Sequence, residues 1–175
     1  DVSADALAVL RENCKKEGIA NIEARCGEIE QLAPETPYEA MVFCFFGTGN
    51  EALRIAKAQC RGPVVIIKKA WNEHRFSIGK QKMNHESYAD TLVLLKEYGI
   101  PHQGDTLALE MGQPFRSIAD ACRFFEIYNK SGEAVTEEAV CARLEATGDN
   151  DFPWYLPQPK EMGIILLDSR NIPEL

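Results

Sequence analysis

The chain of 175 residues is long enough for one domain, and with 45% hydrophobic and 26% charged residues it excludes the disordered and fibrous classes. Its apolar runs stop at six or seven residues, against the roughly 20 that a membrane-crossing helix requires. A net charge of −8 argues against a general nucleic-acid binder.

Ser3 reads as the N-cap of a first helix running to Glu17, with Leu7, Leu10 and Cys14 forming its apolar stripe, Val9 beside them, and Gly18 as the left-handed stop. Ile19 to Cys26 reads as a short strand closed by the turn Gly27-Glu28-Ile29-Glu30, and Pro34 and Pro37 mark a loop. Met41 to Phe46 is wholly apolar, which predicts a strand buried on both faces at the centre of a sheet. Gly47-Thr48-Gly49 then lets the chain turn closely into a helix from Asn50 to Gln59, a local match to G-x-G-x-x-[GA]. Pro63 to Ile67 predicts a second strand buried on both faces. This alternation of helix and strand means a parallel sheet covered by helices.

The polar stretch from Lys68 to Glu86 carries Trp71, His74 and Phe76. The overlapping stretch Arg61 to Lys82 holds Arg61, Lys68, Lys69, Arg75, Lys80 and Lys82 against the single acid Glu73, either a patch for an anionic ligand or a solvated loop. A helix from Ser87 to Tyr98, buried through Leu92, Leu95 and Tyr98 with Val93 nearby, ends at Gly99. Thr106 to Gln113 predicts a strand. Ser117 opens a helix to Asn129, Thr136 caps another that ends at Thr147-Gly148, and Met162 to Asp168 predicts a last strand. The two late strands are expected to form an antiparallel pair at the sheet edge, with the helical insertion 116–159 folded over one end. The six cysteines, Cys14, Cys26, Cys44, Cys60, Cys122 and Cys141, contain no C-x-x-C pair and read as reduced core residues of a cytoplasmic protein.

In this order and spacing the chain resembles a class I S-adenosylmethionine-dependent methyltransferase. The motifs are Asp1 to Leu7 followed by Arg11-Glu12-Asn13, Ile19 to Glu28, the closing segments Thr106 to Gln113 and Met162 to Asp168, and Gln113-Pro114-Phe115-Arg116-Ser117 leading into the insertion. The resemblance implies a Rossmann-like α/β fold over residues 1–175, mostly parallel, with helices on both faces and an antiparallel C-terminal strand pair. It also implies that the family's first strand and glycine-rich motif, about 70 residues by domain norms, belong ahead of Asp1 and that a fragment without them is inactive.

S-adenosylmethionine is the implied cofactor. Asp1, Val2, Glu28, Ile29, Cys44 and Phe45 are its implied contacts, the acids for a ribose diol or adenine and the apolar residues for the adenine faces. Asp1 also reads as a helix-capping acid, and Val2 and Ile29 read equally as core. Phe46, Gly47, Trp71, Arg75, Trp154 and Tyr155 are the implied substrate contacts, for a small-molecule acceptor. Phe152, Trp154 and Tyr155 either belong to a lid or pin the insertion to the sheet. Where nitrogen-methylating branches carry Asn/Asp-Pro-Pro-aromatic, this chain has Phe-Phe-Gly-Thr. Transfer from a sulfonium needs alignment more than covalent help, so His74 is the single general-base candidate, with a plain surface histidine as the alternative. No metal motif is present.

Two other readings remain. Gly47-Thr48-Gly49 with Lys68 and Lys69 would suit an NADP-binding oxidoreductase domain, and the fold without its glycine motif would suit a non-catalytic binding module.

Overall fold

The computed structural model describes residues 1–174. The Ser3 hydroxyl accepts the Ala6 N–H and starts α1 (Ala4–Lys16), and Gly18, at φ 67°, ends it. Leu7 alone on this helix is buried, while Val9 and Leu10 are exposed. The predicted stripe is therefore narrower than its spacing suggests, because little of the chain covers that side of α1.

Residues 19–26 form no strand, contrary to expectation. A strand needs a ladder, and the bonds here reach only the first residues: the Asp1 amino group donates to the Arg25 carbonyl at 3.2 Å, and the Gly27 N–H donates to the Asp1 carbonyl at 3.0 Å. Residues 1–2 and 25–27 thus run side by side.

The main sheet has the order β1-β2-β7-β3, with β1 (Met41–Cys44), β2 (Pro63–Lys69), β3 (His102–Glu110) and β7 (Pro159–Asp168). β1 and β2 are parallel, Met41 facing Val64. β7 lies between β2 and β3 and is antiparallel to both, which is the closing arrangement expected from the resemblance. The run Met41 to Phe46 is not the sheet centre. Its strand ends at Cys44 and occupies the edge, burying Met41 and Phe43 while Val42 is 64% exposed and Cys44 is open. Continuous apolarity signals two covered faces only when another layer is present, and here one face of β1 is uncovered.

α2 (Gly49–Gln59) starts at a Thr48–Glu51 capping box and packs Ala52, Leu53, Ile55 and Ala56 into the core. α3 (Tyr88–Glu97) starts at a Ser87–Asp90 capping box and buries Thr91 and Leu95; Tyr98 and Val93 are exposed. β3 begins four residues before the predicted Thr106 and ends at Glu110. Gln113 instead opens β4 (Gln113–Phe115), which belongs to a second sheet.

That second sheet corrects the all-helical picture of the insertion. α4 (Ile118–Tyr128) forms as expected, but the helix capped by Thr136, α5 (Glu137–Cys141), stops early, and β5 (Glu145–Ala146) follows. β6 (Trp154–Leu156) pairs antiparallel with β4 and with β5. Cross-strand bonds to Tyr155 and Trp154 take the residues that local pattern assigns to a longer helix. Phe115, Ala121, Phe125, Val140 and Leu156 make this unit's own core. Of the cysteines only Cys60 is buried, Cys26 and Cys44 are exposed, and all six are free thiols, so the expectation of core cysteines holds for one position.

Register places the end of β2 beside the start of β7, Lys69 facing Met162, and the end of β3 beside Pro159. The turn after β1, the segment after β2 and the insertion therefore meet at one end of the sheet. Gly163 in β7 admits the Tyr88 ring: a Cβ there would lie 2.0 Å from Tyr88 Cγ. Gly163→Ala is expected to lower stability by about 1–3 kcal/mol in urea denaturation, and an unchanged midpoint would show that α3 does not depend on this contact.

Candidate functional site

A cleft of about 580 Å³ opens between the paired segments 1–2 and 27–29 on one side and β1 with the start of α2 on the other. Asp1, Val2, Glu28, Ile29, Cys44 and Phe46 line it. Five of the six residues implied as cofactor contacts thus come together. The pairing of Gly27 with Asp1 brings both acids to the same wall, and Gly27 at φ 148° makes the turn that presents Glu28. Asp1 Oδ1 accepts the Ser3 N–H at 2.8 Å, so the acid serves α1 with one oxygen and keeps the other. Carboxylates beside Val2, Ile29 and Cys44 provide a polar and an apolar end, acceptors for a ribose diol next to apolar surface for a base, which fits a nucleoside.

Phe45, the sixth implied contact, turns out of the cleft. It is exposed, it holds φ 52°, a left-handed conformation unusual for an aromatic residue, and the Lys69 ammonium lies 5.8 Å from its ring centroid. Gly47 has φ 31°, and a Cβ on it would meet Glu51 Oε2 at 2.1 Å. Glu51, unassigned from sequence, lines the cleft while its carboxylate accepts the Thr48 N–H at 3.4 Å. The T-x-x-E capping signal in Thr48-Gly49-Asn50-Glu51 was the readable trace of it.

The turn is held from beneath by Lys68. This residue is 3% exposed; its ammonium donates to the carbonyls of Phe46 at 3.2 Å and Gly47 at 2.6 Å and lies 3.6 Å from Glu86. Glu86 Oε1 in turn accepts the Gly49 N–H at 2.7 Å and the Thr91 hydroxyl at 2.8 Å. Lys68 is therefore not the exposed cation that a 2′-phosphate would need. The G-x-G turn is likewise occupied by the chain itself, since carboxylates of Glu86 and Glu51 take N–H groups that a phosphate cradle would offer.

The remaining candidates lie outside the cleft lining. His74 Nδ1 is 2.9 Å from the Ser77 hydroxyl. Burial first, then the charges of Lys130, Lys69 and Arg75, push its pKa below the ordinary histidine range. Arg75 donates to the Met111 carbonyl at 2.5 Å, stacks on Phe76, and has its own pKa lowered by burial. The Trp71 carbonyl is 3.1 Å from His85 Nε2, while its indole N–H is buried without a partner among the described residues. Trp154 packs against the insertion's core. The Tyr155 hydroxyl donates to Glu110 at 3.0 Å. Glu110 also accepts the Gln158 N–H, the largest cause holding its carboxyl below the usual range, with Tyr155 adding to it. Tyr155 is thus a strut between the insertion and β3, and Phe152 sits beneath Arg116 on the surface. Among the described residues no group of three His, Cys, Asp or Glu side chains is arranged to hold a metal ion, and no helix is long and apolar enough to cross a membrane.

No protein-family model matches the sequence, and no curated protein matches it. Solved structures do. YcgJ from Bacillus subtilis is 10% identical with a TM-score of 0.51, over 94% of this chain and 80% of YcgJ. BH2331 from Bacillus halodurans C-125, a protein provisionally assigned as a methyltransferase, is 12% identical with a TM-score of 0.51, over 97% of this chain and 80% of BH2331. At these identities the likeness is one of fold, and the fold is a Rossmann-like α/β architecture.

The Lys68 network predicts a specific mutational pattern. Lys68→Met alone is expected to cost about 3 kcal/mol or more in denaturant unfolding, because it strands the Glu86 charge, whereas adding Glu86→Gln should recover part of that loss. Strict additivity of the two substitutions would rule out the coupling.

Proposed function

We propose that this chain transfers a methyl group from S-adenosylmethionine to a small-molecule acceptor. The observation that carries the reading is the convergence of Asp1, Val2, Glu28, Ile29 and Cys44 on one cleft beside the end of β1, in a fold shared with a provisionally assigned methyltransferase. Asp1 and Glu28 would accept the ribose and base hydrogens, and Val2 and Ile29 would pack on the adenine. When bound, the cofactor's sulfonium supplies an activated methyl carbon and a good leaving group. The chain's task is then alignment and exclusion of water. The turn 45–49, clamped by Lys68, forms a fixed wall for that purpose, and insertion 116–159 serves as the lid. His74, held neutral near pH 7 by burial and by its cationic neighbours, takes the acceptor's proton at Nε2, since Nδ1 is engaged with Ser77. The exposed free thiols of Cys26 and Cys44 are in keeping with a reducing, cytoplasmic setting.

Calorimetry with S-adenosylhomocysteine and with NADPH separates this reading from a dinucleotide enzyme. S-adenosylhomocysteine is expected to bind, and Asp1→Asn to weaken it about tenfold; binding of NADPH alone would refute the assignment. The pH dependence has a definite sign. Because burial and its cationic neighbours lower the folded-state pKa of His74, the proton-accepting form persists to lower pH than in a free histidine, and turnover declines at correspondingly lower pH. A His74→Gln variant that kept the wild-type rate and profile would remove His74 from the mechanism.

A further inference from the structure

The cleft beside β1 is lined by three carboxylates and by no cationic side chain. Asp1 and Glu28 stand on one wall and Glu51 on the other, and among the described residues no lysine, arginine or histidine lines it. The cations close to it in the chain are engaged elsewhere. Arg54, one turn along α2 from Glu51, pairs with Glu30, Arg25 pairs with Glu23, and Lys68 faces Glu86 beneath the turn. The Asp1 amino group donates to the Arg25 carbonyl. Glu51 makes no ion pair among the described residues.

Glu51 is also held in place. Its Oε2 accepts the Thr48 N–H at 3.4 Å while its own N–H donates to the Thr48 hydroxyl at 3.2 Å, and the missing side chain of Gly47 leaves room for the carboxylate. A capping box asks for this much, and glutamine would meet it as well. The charge has no such explanation: Oε1 accepts no hydrogen bond among the described residues. The side chain lines the cleft together with Phe43 and Phe46, whose ring centroids lie 5.4 Å apart. A carboxylate beside aromatic rings suits an onium group, because the rings attract a weakly hydrated cation and the carboxylate supplies the full counter-charge.

We infer that Glu51, with Phe43 and Phe46, makes the β1 wall of the cleft selective for the positive charge of the methyl donor, so that the chain binds the sulfonium form more tightly than the neutral thioether left after transfer. The inference rests on the methyl-transfer reading and adds to it a positioning residue that tells fresh cofactor from spent. Asp1 and Glu28 meet the nucleoside, which both forms share, and do not distinguish them. A wall matched to the lost charge favours release of the product.

The test is isothermal titration of the full chain with three ligands that share the adenosyl group: S-adenosylmethionine, its amine analogue sinefungin, which carries a protonated amine in place of the sulfonium, and neutral S-adenosylhomocysteine. The two cations are expected to bind about tenfold more tightly than the thioether. Glu51→Gln keeps the capping box and removes only the charge; it should leave the unfolding midpoint and S-adenosylhomocysteine affinity unchanged while bringing the three affinities within about twofold of one another. Phe46→Leu, which keeps the wall apolar, should reduce the preference about threefold, and an unchanged preference there would overturn the part assigned to the rings. The role of Glu51 is overturned if the parent binds all three equally, or if Glu51→Gln retains the preference for the cations; in either case the methyl-transfer reading stands. Binding of none of the three removes that reading and the inference together.

Discussion

The ammonium of Lys68 sits under the turn that follows β1, donating to the carbonyls of Phe46 and Gly47 and facing the carboxylate of Glu86. Four pieces of chain meet at this pair: the end of β2, the turn itself, the first residue of α2 through the Gly49 N–H, and α3 through the Thr91 hydroxyl. A buried ion pair contributes little net stability unless its other hydrogen-bonding positions are filled, and here carbonyls, an amide and a hydroxyl fill them. The local backbone follows from it. Gly49 must lack a side chain because Glu86 Oε1 would stand 2.8 Å from its Cβ, and Phe45 accepts a positive φ because its neighbours are tethered.

The insertion is held by a different physics. Phe124 packs against its core and makes edge contacts with Phe115, Phe125 and Phe76. The insertion grips the segment after β2 through main-chain carbonyls rather than ion pairs. Arg143 reaches Ser77 and Arg75, Arg75 reaches Met111, and Asn129 accepts the Ile78 N–H. Guanidinium groups spent on carbonyls hold the segment after β2 in place.

Short-range features were the readable part of the fold. Ser3, Thr48, Ser87, Ser117 and Thr136 each cap a helix by accepting an N–H three residues on, a bond that local sequence specifies by itself. Gly18 and Gly99 end their helices with positive φ for an equally local reason. The cleft walls were legible only through the resemblance, since nothing in the spacing of Asp1, Glu28 and Cys44 says that they meet. Lys68 was misplaced because a lysine in a polar stretch reads as solvated, and its partners stand on other elements.

What the sequence determined by itself is the set of helices, their caps and the apolar runs that become strands, all products of interactions within a few residues. Tertiary structure alone decided that Met41 to Cys44 is an edge, that residues 19–26 carry no ladder, that Glu145–Ala146 joins a small sheet and that Lys68 is buried. Each of these depends on which neighbour supplies the second half of a hydrogen bond or the second face of a packing layer, and that neighbour is distant in the chain.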